Sequence, residues 1–396
     1  MFKPIGSACN LECTYCYYLD KTQTIYNNIQ PLKSLEILEE YTRQYIEANE
    51  VPEVTFTWHG GEPLMAGLDY FRKAMGFQRK HSGGKTIINS LQTNGTLLNA
   101  DWCRFFNDHR FLIGVSIDGP RDIHDAYRIY KAGKPTFDKV MDGINQMAKF
   151  RVEYNTLSVV NMLSEGRGSE VYQFLKSIGS RFMQFLPVVE YVLPAGSTRR
   201  PTIVKPGTEG SVMASWSVSA LGYGHFLTDI FDVWVLSDVG TYFVQAFDMT
   251  LAQWVGAKPG LCVYSETCGD ALVVEHNGDV YSCDHFVYPE FRLGNILEDD
   301  LIDLYKSQKQ FDFGINKRNI LPSQCRRCEY YFACRGECPK HRFIKTKSGE
   351  ENLNALCEGF KYYYFHVAPY MEHMKNLLFN KKAPALVMDW VKSKKH

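Results

Sequence analysis

Three cysteines, Cys9, Cys13 and Cys16, fall together in "SACNLECTYCYY". Three thiolates can hold an iron or zinc centre while leaving one corner of a tetrahedral site open to a ligand that is not protein. An open corner is a place for chemistry. A structural zinc site completed by a distant Cys or His is the competing reading, but a zinc knuckle pairs one C-x2-C with another and none lies nearby. Cys262, Cys268, Cys283, Cys325, Cys328, Cys334, Cys338 and Cys357 form a second group near the other end of the chain. Eight thiols make two complete sets of four, and fully ligated clusters carry electrons rather than bind substrate. A zinc ribbon competes here too. The local run "CRRCEYYFACRGEC" would put Cys325, Cys328, Cys334 and Cys338 on one centre. Bacterial two-cluster ferredoxins warn against this, because the fourth cysteine of their run ligates the other cluster. Cys103, in "NADWCRFFND", stands apart and reads as a buried helical thiol.

The elements that must position these thiols alternate. From residue 33 a helical pattern in "LKSLEILEEYTRQYIEAN" precedes a short strand "EVTFTW". Helices at "YFRKAMGFQRKH", "ADWCRFFND", "FDKVMDGINQMAKF" and "EVYQFLKSIG" then interleave with strands at "TIINSLQ", "FLIGVSI", "NTLSVV" and "FMQFLP". With an opening strand around "FKPIG", the pattern predicts about six βα units and hence a parallel sheet or barrel. The first three cysteines would follow the first strand, at the end where (β/α) barrels carry their active sites. The stretch "PAGSTRRPTIVKPGTEGS" reads as a loop, followed by helical stretches at about 213–237 and 241–256. Asn277-Gly278 in "ALVVEHNGDVYSCD" signals a hairpin. The remaining cysteine-rich part is short on periodicity, so metal is expected to organise it.

The 396 residues are 45% hydrophobic, enough for a large core, and Lys plus Arg balance Asp plus Glu at 44 each. No broad positive field exists to hold nucleic acid or an anionic membrane. "HFLTDIFDVWVLSDVG", the most apolar stretch, is broken by Asp229 and Asp232, and the first residues lack an apolar signal core. A cytoplasmic protein is expected, where twelve cysteines point to metal rather than to disulfides.

The C-x3-C-x2-C spacing after a first strand, with Tyr15 before the last cysteine, resembles the radical S-adenosylmethionine (SAM) enzymes. In that family three cysteines hold a four-iron four-sulfur cluster, and the SAM amino and carboxylate groups chelate its fourth iron. "HGGEP" after the second strand strengthens the likeness, since two glycines at a strand end admit close backbone approach. By resemblance Gly60, Gly61 and Glu62 form the stretch that meets the SAM amino group. Tyr15, Ser116 in "GVSIDGP", Arg128 in "IHDAYR" and the apolar Val189 match further SAM-binding positions.

The cysteine run near the C-terminus resembles the SPASM subgroup, which acts on peptides and carries two auxiliary clusters. The resemblance implies Cys262, Cys268, Cys283 and Cys338 on one auxiliary cluster and Cys325, Cys328, Cys334 and Cys357 on the other, three 4Fe-4S clusters in all. It implies a partial (β/α)6 barrel over 1–190, a helical linker or insert over 191–260, and an auxiliary-cluster domain with a C-terminal helix over 261–396. "SLQTNGTLL", "FLIGVSIDGP" and "GDVYSCDHFVYPEFRLGNI" narrow the likeness to the anaerobic sulfatase-maturating enzymes. These oxidise a Ser or Cys of an unfolded or nascent sulfatase polypeptide to formylglycine, drawing electrons from a donor such as flavodoxin or ferredoxin. Asp284, directly after Cys283, matches the family's general base; Tyr18 matches a residue near the substrate Cβ. His59 stands where some relatives carry Gln, and either side chain can hydrogen-bond a substrate backbone. Another SPASM peptide maturase, such as one forming thioether crosslinks, is the rival enzyme reading. Those often carry an added N-terminal domain, for which a cluster motif starting at residue 9 is expected to leave no room. A zinc-binding interaction protein is the rival outside enzymes.

Overall fold

The computed structural model describes residues 1–19, 21, 25, 34–194 and 201–394. These pack as two compact units that interleave along the chain. One comprises Met1–Ile117, His124–Tyr154 and Gly269–Ile315; the other comprises Asp118–Ile123, Asn155–Cys268 and Asn316–His396.

In the first unit β1 (Glu53–Trp58) buries alternate residues, Val54, Phe56 and Trp58, as a period of two requires. It pairs in parallel with β2 (Thr86–Thr93), which pairs in parallel with β3 (Leu112–Ser116). Helices Leu35–Ala48, Leu68–His81, Ala100–Asp108 and Phe137–Phe150 return the chain between strands. Two of these helices are capped locally: Ser34 Oγ accepts from the Ile37 amide, and Asn99 Oδ1 from Asp101 and Trp102. Each such cap is worth about 1 kcal/mol. Cys103 is fully buried among Trp102, Phe105 and Phe106. The expected opening strand is absent. Phe2 makes only isolated parallel bridges to Trp58 and Val274, because Pro4 has no N–H for a ladder and Gly6 turns the chain at φ 56°. The Asn277-Gly278 hairpin forms as expected, Val273–Val274 antiparallel to Asp279–Tyr281, with Arg292–Asn295 added on the far side.

In the second unit β4 (Tyr154–Val160), at whose first residue the division falls, runs parallel to β5 (Phe182–Pro187). A two-residue strand, Phe243–Val244, lies parallel to β5. The stretch read as a loop pairs in part: Tyr191–Leu193 is antiparallel to Thr202–Val204 and to Val212–Met213. Its Thr202, Ile203 and Val204 favour strand over the surrounding Pro, Gly and Ser; residues 195–200 lie outside the described residues. Helix therefore starts later than expected, at Ala220, where Ser219 Oγ accepts from Gly222. The second stretch gives Gln245–Trp254.

From Cys357 the chain is more regular than its periodicity suggests, forming the 23-residue helix Cys357–Phe379 and then a short helix, Val387–Ser393. Ala220–Ser237 and Cys357–Phe379 touch through glycines. A methyl group on Gly359 would overlap the Ala220 carbonyl, and one on Gly224 would lie 2.6 Å from Gly359 O. Among the described residues no helix is long and apolar enough to cross a membrane.

Candidate active site

The Cys9–Cys16 loop is fixed from both ends. Glu12 and Thr14 amides donate to Ile129 O (2.8 Å) and Tyr127 O (2.9 Å), and the Cys16 amide to Cys13 O (3.0 Å). Cys9 Sγ accepts from the Leu11 amide at 3.4 Å and from Asn94 Nδ2 at 3.7 Å. Burial, then the Glu62 charge, push the Cys9 thiol up to about 12. Such a thiol ionises only beside a cation, while the N–H donors around it suit a metal-bound thiolate. The residues therefore fit a three-thiolate cluster.

The strand ends supply the surroundings. Directly after β1, the Gly61 amide donates to Gly6 O (2.7 Å) and the Glu62 amide to Ala8 O (2.9 Å). Gly60 has φ 137°, and a methyl group on Gly61 would collide with the Ala8 carbonyl. The glycine pair thus lets the chain's own backbone approach, in the segment leading into Cys9. Glu62 is wholly buried and accepts from the Leu64 amide (3.0 Å), Thr93 Oγ1 (2.8 Å) and the Asn94 amide (2.8 Å). Burial outweighs those bonds and raises its carboxyl to about 7. Ser116, closing β3, accepts from Gln92 Nε2 at 3.1 Å. The buried Arg128 guanidinium lies 5.6 Å from the Tyr15 ring centre. Because β1, β2 and β3 are parallel, Glu62, Asn94 and Ser116 share one edge of the sheet. Val189 belongs to the second unit, buried just past β5.

Asp284 follows Cys283 at the end of the hairpin sheet, and its carboxylate is gripped on both oxygens. The Lys3 ammonium pairs with Oδ1, and the Tyr17 hydroxyl donates to Oδ2 at 2.7 Å. Lys3, fully buried, also lies 3.7 Å from Glu275 Oε1 and 3.4 Å over the Tyr18 ring. Tyr18 is buried and its hydroxyl donates to Glu275. Burial raises the Asp284 carboxyl, but Lys3, His59 and His285 together outweigh it and hold the group well below the usual carboxylate range. His59 is lowered by burial, with Asp284 opposing. The structure thus brings His59, Tyr18 and Asp284 around Lys3. Sequence reasoning missed Lys3, Tyr17 and Glu275. Contacts across more than 250 residues leave no spacing signal, although Tyr17 adjoins Cys16.

In the second unit Cys325, Cys328, Cys334 and Cys357 line one cavity with Tyr330, Phe360 and Tyr364. Cys338 is not in its lining, whereas Cys357, at the head of the long helix, is. Burial pushes Cys325 to about 11 and Cys334 to about 12. Four partly buried thiols lining one cavity fit an iron–sulfur cluster, whose sulfur ligands stand further apart than those of a single ion. Among the described residues no three His, Cys, Asp or Glu side chains converge on one ion. Cys262, Cys268 and Cys338 also lie in the second unit, Cys283 in the first. The buried Lys317 ammonium donates to the carbonyls of Cys262, Val263 (2.9 Å) and Ser265 (2.6 Å). Arg342 donates to Gly336 O (2.7 Å), Glu337 O (2.8 Å) and Lys317 O. These two cations tie down the segments bearing Cys262 and Cys338.

A strand-end thiolate loop beside a glycine pair, with a second thiol-rich region, defines a class, and comparison with known proteins agrees. Residues 4–175 match the Radical SAM superfamily and residues 262–329 the SPASM iron–sulfur cluster-binding domain. Over 392 residues the chain is 48% identical to the serine-type anaerobic sulfatase-maturating enzyme of Bacteroides thetaiotaomicron, covering 99% of this chain and 94% of that one. A cysteine-type enzyme of Clostridium perfringens is 32% identical, with 95% and 98% covered. The solved structure of native anSMEcpe with bound AdoMet superposes at TM-score 0.82 and 30% identity, covering 95% of this chain and 98% of that one. The chain belongs to the family of anaerobic sulfatase-maturating enzymes. Its fold is the partial (β/α)6 radical SAM barrel followed by a SPASM domain.

Proposed function

We propose that this chain oxidises one Ser or Cys of a sulfatase polypeptide to Cα-formylglycine, with Asp284 as the base for the hydroxyl or thiol proton. The observation that carries the reading is a carboxylate directly after Cys283 that Lys3 holds ionised. When bound, SAM with its cluster supplies abstraction of a hydrogen atom from the target Cβ, and the auxiliary clusters supply a sink for the second electron. Loss of one hydrogen atom, one proton and one electron balances the change from alcohol to aldehyde; from a thiol the same losses give a thioaldehyde, which water converts to the aldehyde with release of hydrogen sulfide. Asp284 is a weak base toward an intact alcohol, but a carbon radical acidifies the O–H or S–H beside it. Proton and electron then leave together, and an ionised carboxylate is ready to accept.

Cys9, Cys13 and Cys16 would hold the SAM cluster, with Tyr15, Gly60, Gly61, Glu62, Ser116, Arg128 and Val189 around SAM. His59 and Tyr18 would meet substrate. The auxiliary ligand sets would be Cys262, Cys268, Cys283, Cys338 and Cys325, Cys328, Cys334, Cys357, giving three 4Fe-4S clusters. The functional division would follow residues 1–190, 191–260 and 261–396. The substrate would be an unfolded or nascent sulfatase met in the cytoplasm, with a flavodoxin- or ferredoxin-like electron donor and no nucleic acid or membrane partner. A native structure of anSMEcpe contains AdoMet together with the Kp18Cys peptide, which supports a peptide substrate. The higher identity to a serine-type relative than to cysteine-type ones favours serine as the target.

The test uses a target peptide deuterated at the serine Cβ. Deuterium recovered in 5′-deoxyadenosine is expected; turnover with none recovered overturns the reading.

A further inference from the structure

Lys3 is a buried cation to which the chemistry above gives no part beyond keeping Asp284 ionised. Its side chain has no exposure to solvent. A desolvated ammonium persists in a fold only where partners offset its lost hydration. Here the partners are Asp284, Glu275 at 3.7 Å, and the face of the Tyr18 ring at 3.4 Å. Glu275 is itself fully buried and receives the Tyr18 hydroxyl on Oε1, the oxygen that faces Lys3, so that oxygen is fixed in place. Asp284 differs from its neighbours in being open to solvent on one side, 18% exposed. The arrangement is directional: a buried anion and ring seat Lys3, Lys3 holds one oxygen of Asp284, and the Tyr17 hydroxyl holds the other. A carboxylate offers about four lone-pair directions, so both oxygens keep one free while the group can no longer rotate.

We propose that Lys3, seated by Glu275 and Tyr18, is a positioning residue for the proton-transfer step, fixing the direction of the Asp284 carboxylate and balancing its charge. The proposal rests on the reading of Asp284 as the base. Removing Lys3 then separates two outcomes that are normally linked: hydrogen abstraction continues, while completion to aldehyde falls behind.

The experiment uses full-length enzyme with clusters reconstituted and measures three quantities together: iron per chain, 5′-deoxyadenosine formed, and aldehyde-bearing peptide. Lys3→Met is expected to keep the iron and to lower the aldehyde yield per deoxyadenosine by about 10- to 100-fold, a part of what a positioned base contributes. The same substitution made in Asp284→Asn should lower that ratio no further, since the two residues act as one unit. A merely structural Lys3 would cost as much in either background. Should Lys3→Met fail to retain iron, Glu275→Gln keeps both members of the pair and loosens the seat. It is expected to lower the ratio in the same direction by several-fold, again only where Asp284 is present. An unchanged ratio in an iron-replete Lys3→Met, or in Glu275→Gln where Lys3→Met loses its iron, overturns the proposal, as does an equal fall in both backgrounds. If Asp284→Asn itself leaves the ratio unchanged, the reading of Asp284 fails as well; if only the Lys3 and Glu275 variants do, that reading stands.

Discussion

Gly61 shows how tightly the site is specified at the scale of one residue. Its Cα faces the Ala8 carbonyl with no room for a methyl group, and its amide anchors Gly6. Gly61→Ala should push back the segment entering Cys9, costing about 1–3 kcal/mol of stability as other overpacked sites do. Chemical denaturation and SAM cleavage, both reduced, would check it. Asp284→Asn keeps shape but cannot take a proton at neutral pH. It should still cleave SAM while losing about 100- to 10,000-fold of aldehyde formation, both read in one reaction. Thiol spacing and the glycine pair marked out the Cys9–Cys16 loop in the sequence, because few other uses put those residues so close. Lys3, Glu275 and Tyr17 were not legible: each is common, and only the fold brings Lys3 to a hairpin more than 250 residues away.

At the scale of elements, the packing of Ala220–Ser237 on Cys357–Phe379 sets where Cys357 stands, since Gly359 lies one half-turn into the helix. Gly359→Val should separate the pair, lower the melting temperature and reduce iron content together; normal iron would show that the helix contact does not seat the cysteine. The same pair is bridged by His366 and Asp232 at 2.6 Å, and that hydrogen bond raises the His366 pKa above its ordinary value. A raised folded-state pKa stabilises below the unfolded value, about 6.5, and the gain is lost as pH rises through the folded value. With both groups partly exposed the contribution is at most about 1 kcal/mol. His366→Gln should flatten that part of the stability–pH curve. Helices and core strands were legible from periodicity, which burial imposes directly. The opening segment was not, because Pro4 and Gly6 override an apolar pattern at close range. The small sheet after β5 was missed for the opposite reason: Thr202–Val204 pair despite flanking Pro and Gly.

For the whole molecule, family membership rests on likeness along nearly the full chain, and the auxiliary cysteines are what most separate it from simpler barrels. Cys9, Cys13 and Cys16 changed together to Ala should remove about four of about twelve irons and abolish SAM cleavage. Cys357→Ala should cost iron and stability as well, since cluster binding and folding are linked. The central claim is the oxidation itself. Anaerobic incubation with SAM, a one-electron reductant and a peptide carrying serine in the S-x-P/A-x-R context, followed by mass spectrometry, tests it most directly. The expected product is a peptide lighter by two hydrogen atoms that reacts with a hydrazine as an aldehyde. A peptide of unchanged mass beside abundant 5′-deoxyadenosine, or one crosslinked without an aldehyde, would contradict it.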